Sequence, residues 1–196
     1  MRVTKKTVFR FDELDGAAKE KAREWFRGIA DDWGAESIID HAKHVGALIG
    51  FEVAGVAWRG FWSQGDGACW SGSVTYYRGR ASDVARECPQ DAEIQRIARA
   101  WQDLQRQNSG QIRGRVSAND RYMRTSVSAY WADDRDGDDE DQIASVEDDA
   151  NQIASEFSDW IYRALEKEYN CQMSDECVDE SIRANEYEFD EDGKPA

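Results

Sequence analysis

Residues 60–70 read GFWSQGDGACW, three large aromatics around the turn Gly65-Asp66-Gly67. Aromatic faces with a few directed polar groups are what a planar ligand such as a nucleobase needs. In that reading Trp62 and Trp70 stack, and Ser63, Gln64 and Asp66 orient the ligand. The same residues also fit a strand–loop–strand in which Asp66 caps the turn and the aromatics form core. Glycines at 60, 65, 67 and 72 signal positive φ or close backbone approach. The loop is not a phosphate cradle, because it lacks GxxxxGK[ST] and does not join a strand to a helix.

A second chemistry is charge. The chain carries a net charge of −15, and the distribution is uneven. Residues 133–149 (DDRDGDDEDQIASVEDD) carry −9 and residues 174–192 (SDECVDESIRANEYEFDED) carry −8, which leaves the rest at +2. Such a segment repels nucleic acid and anionic membranes but attracts a basic protein surface. Asp133, Asp134, Asp136, Asp138, Asp139, Glu140 and Asp141 are the candidate partner contacts. A solvated acidic face that keeps the chain soluble has the same composition. Calcium fits poorly: with Gly137 at loop position 6, Ala132 and Ile143 fall where oxygen ligands belong.

Other chemistry-bearing residues are sparse. His41 and His44 lie three apart without an HExxH pattern, and Cys69, Cys88, Cys171 and Cys177 form no CxxC pair. Reduced thiols and no metal or other cofactor are expected. There is no GxSxG, and no cysteine has a histidine neighbour in sequence, so a binding protein is expected rather than an enzyme. Arg113, Arg115, Arg121 and Arg124 recur through one hairpin; alternating arginines can touch phosphate, but arginines on the solvent face of a strand pair are the commoner explanation.

The elements that must hold these residues follow from periodicity. Residues 15–33 and 36–49 repeat apolar side chains at three- and four-residue steps, as helices do, with Asp15 as the first N-cap. From Phe51 the period becomes two: FEVAGVAW and CWSGSVTYY are strands around the loop. Residues 91–107 form a helix capped by Asp91. QIRGRVSA and RYMRTSVSAYW form a second hairpin with Asn119-Asp120 as its turn. Residues 143–169 are the longest helical pattern, and Ser174 caps a last helix over 175–184, before an extended stretch at Tyr187 and Phe189.

The order α-α-β-β-α-β-β-α-α predicts an α+β fold, an antiparallel sheet of about four strands in two hairpins with helices packed on one face. A single domain over 1–196 is expected, with an acidic linker at 133–142 and a short acidic C-terminal tail. No apolar run is long enough to span a membrane and no secretory signal opens the chain, which points to the cytoplasm.

Four stretches together resemble a family of phage and prophage proteins, mostly uncharacterised and sometimes labelled the antitoxin of a toxin–antitoxin stability system. They are FDELDGAAKEKAREWFR at 11–27, GFWSQGDGACWSG at 60–72, PQDAEIQRIARAWQDLQR at 89–106 and WIYRALEKEYNCQMSDECVDESIRANEYEFDEDG at 160–193. The resemblance implies a phage origin and action in the bacterial host cell. With the charge asymmetry it favours an inhibitor of a host defence or nucleic-acid-handling complex, whose acidic surface mimics nucleic acid. The expected partner is a host protein complex with a basic surface, with no direct contact to nucleic acid or membrane, and a homodimer is left open. A nucleotide-signal binder using the 60–70 loop and an antitoxin masking a basic toxin are the alternatives.

Overall fold

The computed structural model describes residues 6–30, 33–76, 80–132 and 140–196. The fold is α+β, and the chain forms two compact units, residues 36–166 and the combined chain ends 1–35 and 167–196.

The larger unit is built on a four-stranded antiparallel sheet, β2 (Phe51–Arg59), β3 (Gly67–Val74), β4 (Ile112–Asn119) and β5 (Arg124–Trp131), in that spatial order. Its helices are α2 (Ala35–Ile49), α3 (Arg80–Glu87), α4 (Ala92–Gln107) and most of α5 (Glu140–Gln172). Alternation gives the sheet two unlike faces. Phe51, Trp70, Val74, Ile112, Val116 and Val127 are buried on one of them. There Phe51 stacks on Trp70 at 5.3 Å and meets Trp101 of α4 and Phe157 of α5 edge-on. The opposite face over β4 and β5 carries Arg115, Ser117, Ser126, Ser128 and Tyr130, all exposed.

Buried polar groups in this core are matched. The Trp70 indole donates to the Ala154 carbonyl (3.1 Å), and Thr125 Oγ1 accepts from the Trp70 amide while sharing a 2.7 Å hydrogen bond with Ser158 Oγ. Gln105, fully buried, bonds both the amide and the carbonyl of Ile112, fixing the start of β4. Asn151 does the same for Val127 on the edge strand β5, standing in for a missing strand partner.

The smaller unit joins β1 (Phe9–Arg10) to β6 (Glu188–Phe189) as a two-stranded antiparallel pair, with α1 (Gly16–Ile29) and α6 (Asp175–Ala184). Phe11, Leu14, Ala18, Ala22, Val178, Ile182 and Phe189 are its core. The stretch expected as a short tail is thus part of a folded unit, because Phe189 is fully buried and pairs with Phe9. Arg23 clamps α1 to α6 through a two-pronged contact with Asp179, at 2.6 and 2.8 Å.

Several boundaries differ from the periodicity. Helix α1 stops at Ile29, and Trp33 lies beyond it, buried and edge-on to Tyr169. Helix α3 was not visible in the pattern, since eight residues with Val84 as their only fully buried apolar anchor are too few to show a period. The β4–β5 connection is Asp120–Met123 rather than Asn119-Asp120. Asn119 pairs with Arg124, and Met123 takes the positive φ of 48° that closes the loop. Helix α5 begins at Glu140, so the last three residues of the expected linker are helical. The caps Asp15, Asp91 and Ser174 are in place, each accepting amide hydrogen bonds from the first turn.

Candidate functional site

The β2–β3 loop folds around its own carboxylate. One Asp66 oxygen accepts from the amides of Trp62 (2.9 Å) and Ser63 (2.6 Å), and the Asp66 amide returns to the Ser63 carbonyl. Gly60, at φ 45°, makes room for this: a Cβ there would lie 2.6 Å from the Asp66 carboxylate. Gly65 takes φ 94° at the tip. Asp66 therefore serves as a turn cap and points its charge inward to backbone donors.

The aromatics of the loop part company. Trp70 is fully buried and belongs to the core beneath the sheet, so Trp62 and Trp70 do not form a ligand sandwich. The reason is register: Trp70 lies opposite Val56 on the covered face of the sheet. Phe61 is buried between Trp58 and Tyr162 at 5.4 and 5.6 Å. Trp62 stands outward at 71% exposure, edge-on to Phe61, with Ser63 and Gln64 exposed beside it.

Of the acidic candidates, Asp133, Asp134, Asp136, Asp138 and Asp139 lie outside the described residues. Glu140 and Asp141 form the start of α5, a position that suits negative charge; their side chains are also outside the description. Elsewhere the acids fall into two groups. Asp175 and Asp179 are bound by Arg23 and Arg27, with Arg183 close to Asp179, and Arg23 holds the Asp179 carboxyl below its ordinary range. Asp190 accepts the Asp192 and Lys194 amides and is lowered by them. By contrast Asp148 and Asp149 on α5, and Glu176, Glu180, Glu186, Glu188, Glu191 and Asp192 in the smaller unit, are exposed and make no ion pair among the described residues.

The remaining candidates are dispersed. His44 pairs with Glu87 at 2.6 Å and His41 tilts against Trp160. Among the described residues no group of histidine, cysteine and acidic side chains converges as a metal site. Cys69 on β3 is buried, and burial with the nearby Asp120 pushes its thiol up. Gln105 and Asn151, which fix β4 and β5, had no sequence signal, since a buried amide looks like a surface one until its strand partner is known. Among the described residues no helix is long and apolar enough to cross a membrane.

A family model matches residues 33–175, so the chain belongs to the family described as a domain of unknown function, DUF8835. The matched range takes in the whole larger unit and stops at the start of α6. No curated protein and no solved structure matches.

Proposed function

We propose that this chain is a binding protein whose acidic C-terminal third engages a basic surface on another protein. The observation that carries the reading is the exposed carboxylates on α5 and in the smaller unit that make no ion pair among the described residues, in a chain of net charge −15. Acids already neutralised by arginines offer a partner little, whereas solvated ones can exchange water and counter-ions for its lysines and arginines. The finer form of the proposal is a phage accessory protein that inhibits a host defence or nucleic-acid-handling complex by filling its nucleic-acid channel. Asp133, Asp134, Asp136, Asp138, Asp139, Glu140 and Asp141 are the first contacts in that form. An antitoxin bound to a basic toxin is the same chemistry with a different partner, and it requires the toxin to be encoded nearby.

The test is capture of partners from a bacterial lysate on tagged protein, washed at about 50 mM and then at about 500 mM salt. Exposed charge pairs are screened within about 8–10 Å at physiological ionic strength. A basic partner released by the high-salt wash supports the reading, and a partner retained at high salt contradicts it. The exposed indole of Trp62 favours a second reading, a flat ligand held at the 60–66 loop. Trp62→Ala should then abolish thermal stabilisation by nucleotides, and stabilisation that survives the substitution rules this reading out.

A further inference from the structure

The exposed face of the sheet over β4 and β5 has a charge opposite to that of the chain. Arg113 and Arg115 on β4 and Arg124 on β5 share this face by register: Arg113 lies opposite Tyr130, Arg115 opposite Ser128 and Asn119 opposite Arg124. Arg121 follows in the β4–β5 loop, its guanidinium 5.5 Å from the Tyr122 ring centroid. Arg115, Arg121 and Arg124 are exposed and Arg113 is half-buried. Among the described residues none of the four forms an ion pair, although arginines elsewhere in the chain do so repeatedly. Tyr130 and Tyr122 stand among them at 56% and 68% exposure. Ser117, Ser126 and Ser128 supply exposed hydroxyls between the arginines.

Arg113 donates to the Gly110 and Ile112 carbonyls, and the four guanidinium groups keep their charge without an ion-pair partner among the described residues. Such groups, interleaved with exposed aromatic rings and hydroxyls on one sheet face, match a chain of phosphates carrying separable bases. We propose that the β4–β5 face binds single-stranded nucleic acid, with Arg113, Arg115, Arg121 and Arg124 on phosphates and Tyr130 and Tyr122 stacking bases. An acidic peptide would satisfy the arginines but leave the rings unused, and base-paired DNA keeps its bases out of their reach. Acids border the face at Asp120, at Glu52 on β2, and at Glu147 and Asp148 across the β5 edge, where a groove of about 460 Å³ contains Arg124. They confine the strand to a path along β4 and β5. The large negative net charge does not exclude this, because charges more than a Debye length away, about 8 Å in physiological salt, are largely screened. The proposal revises the expectation, drawn from net charge, that the chain stands clear of nucleic acid.

The test uses the purified full chain and fluorescein-labelled single-stranded 12-mers of RNA and DNA, followed by anisotropy from about 50 to 200 mM salt. Three to four phosphate contacts give a slope of log affinity against log salt of about −2 to −3. R115Q/R124Q should weaken binding about tenfold or more and flatten the slope by about 1.4, at about 0.7 per lost contact. Tyr130→Ala should weaken binding about fivefold or more and leave the slope unchanged, since stacking releases no counter-ions. Ser117→Glu, an exposed change on the same face, should also weaken binding, and circular dichroism checks that each variant is folded. Absence of single-strand binding at 50 mM salt overturns the proposal. So does affinity indifferent to the arginine changes, or equal competition by a polyglutamate of the same charge. Because no other protein is present, failure here leaves the lysate test of the acidic surface standing, and the converse holds.

Discussion

At the scale of single residues, the turn of the 60–66 loop is held by its own hydrogen bonds. Asp66 caps two amides, and Gly60 is glycine because the carboxylate occupies the space of a side chain. Asp66→Ala should cost about 0.5–2 kcal/mol by removing a cap from two amides that water then solvates. Gly60→Ala should cost about 1–3 kcal/mol through its positive φ and the clash with Asp66. The two changes touch one another, so the double variant should be less destabilised than the sum by at least about 0.5 kcal/mol. Urea unfolding of the four proteins measures this, and strict additivity would contradict the geometry. Asp66 between glycines was legible as a cap in the sequence, but which aromatic would face solvent was not. Trp62 and Trp70 are alike in type; the register of β3 buries Trp70, and Trp62 stands outward in the loop.

At the scale of elements, α1 and α6 are tied by Arg23 and Asp179, both mostly shielded from solvent. The pairing lowers the Asp179 carboxyl from its ordinary value, with the Arg23 hydrogen bond as the largest cause. A carboxyl depressed in the folded state adds stability that is fully present above its unfolded value, about 3.9, and is lost as pH falls through the folded value. Asp179→Asn should therefore destabilise the protein by about 1–3 kcal/mol at pH 7. The gap to wild type should narrow steadily as pH falls below about 4. Thermal melts at pH 7 and across pH 4 to 2 read it, and a gap that does not depend on pH would show that Asp179 acts through packing alone. Elements with a long period and a capping residue, such as α4 behind Asp91, were legible from sequence, whereas α3 was too short to declare itself.

At the scale of the whole molecule, each unit has its own core. In the larger one Phe157 is central: it meets Phe51 and Trp70 edge-on and stacks on Trp160 at 5.4 Å. Phe157→Ala should cost about 3–5 kcal/mol, because the rings around it cannot close the cavity. Calorimetry or urea unfolding checks this, and a loss under about 1 kcal/mol would mean that the cluster repacks. Charge also has meaning only at this scale. The chain totals −15, yet the β4–β5 face presents arginines and the smaller unit presents unneutralised acids. The described surface therefore carries regions of opposite sign.

The sequence by itself determined what depends on near neighbours: helix and strand periods, the caps at Asp15, Asp91 and Ser174, and the alternation that lines arginines along one side of a hairpin. These follow from steps of 3.6 and 2 residues and from hydrogen bonds spanning a single turn. Only the tertiary structure decided which side of the sheet is covered, that Trp70 is core while Trp62 is surface, and that Phe189 returns to pair with Phe9. It also decided which carboxylates meet an arginine, as Asp179 meets Arg23, and which stay solvated. Such outcomes depend on contacts between residues far apart in the chain, and no local pattern encodes the partner.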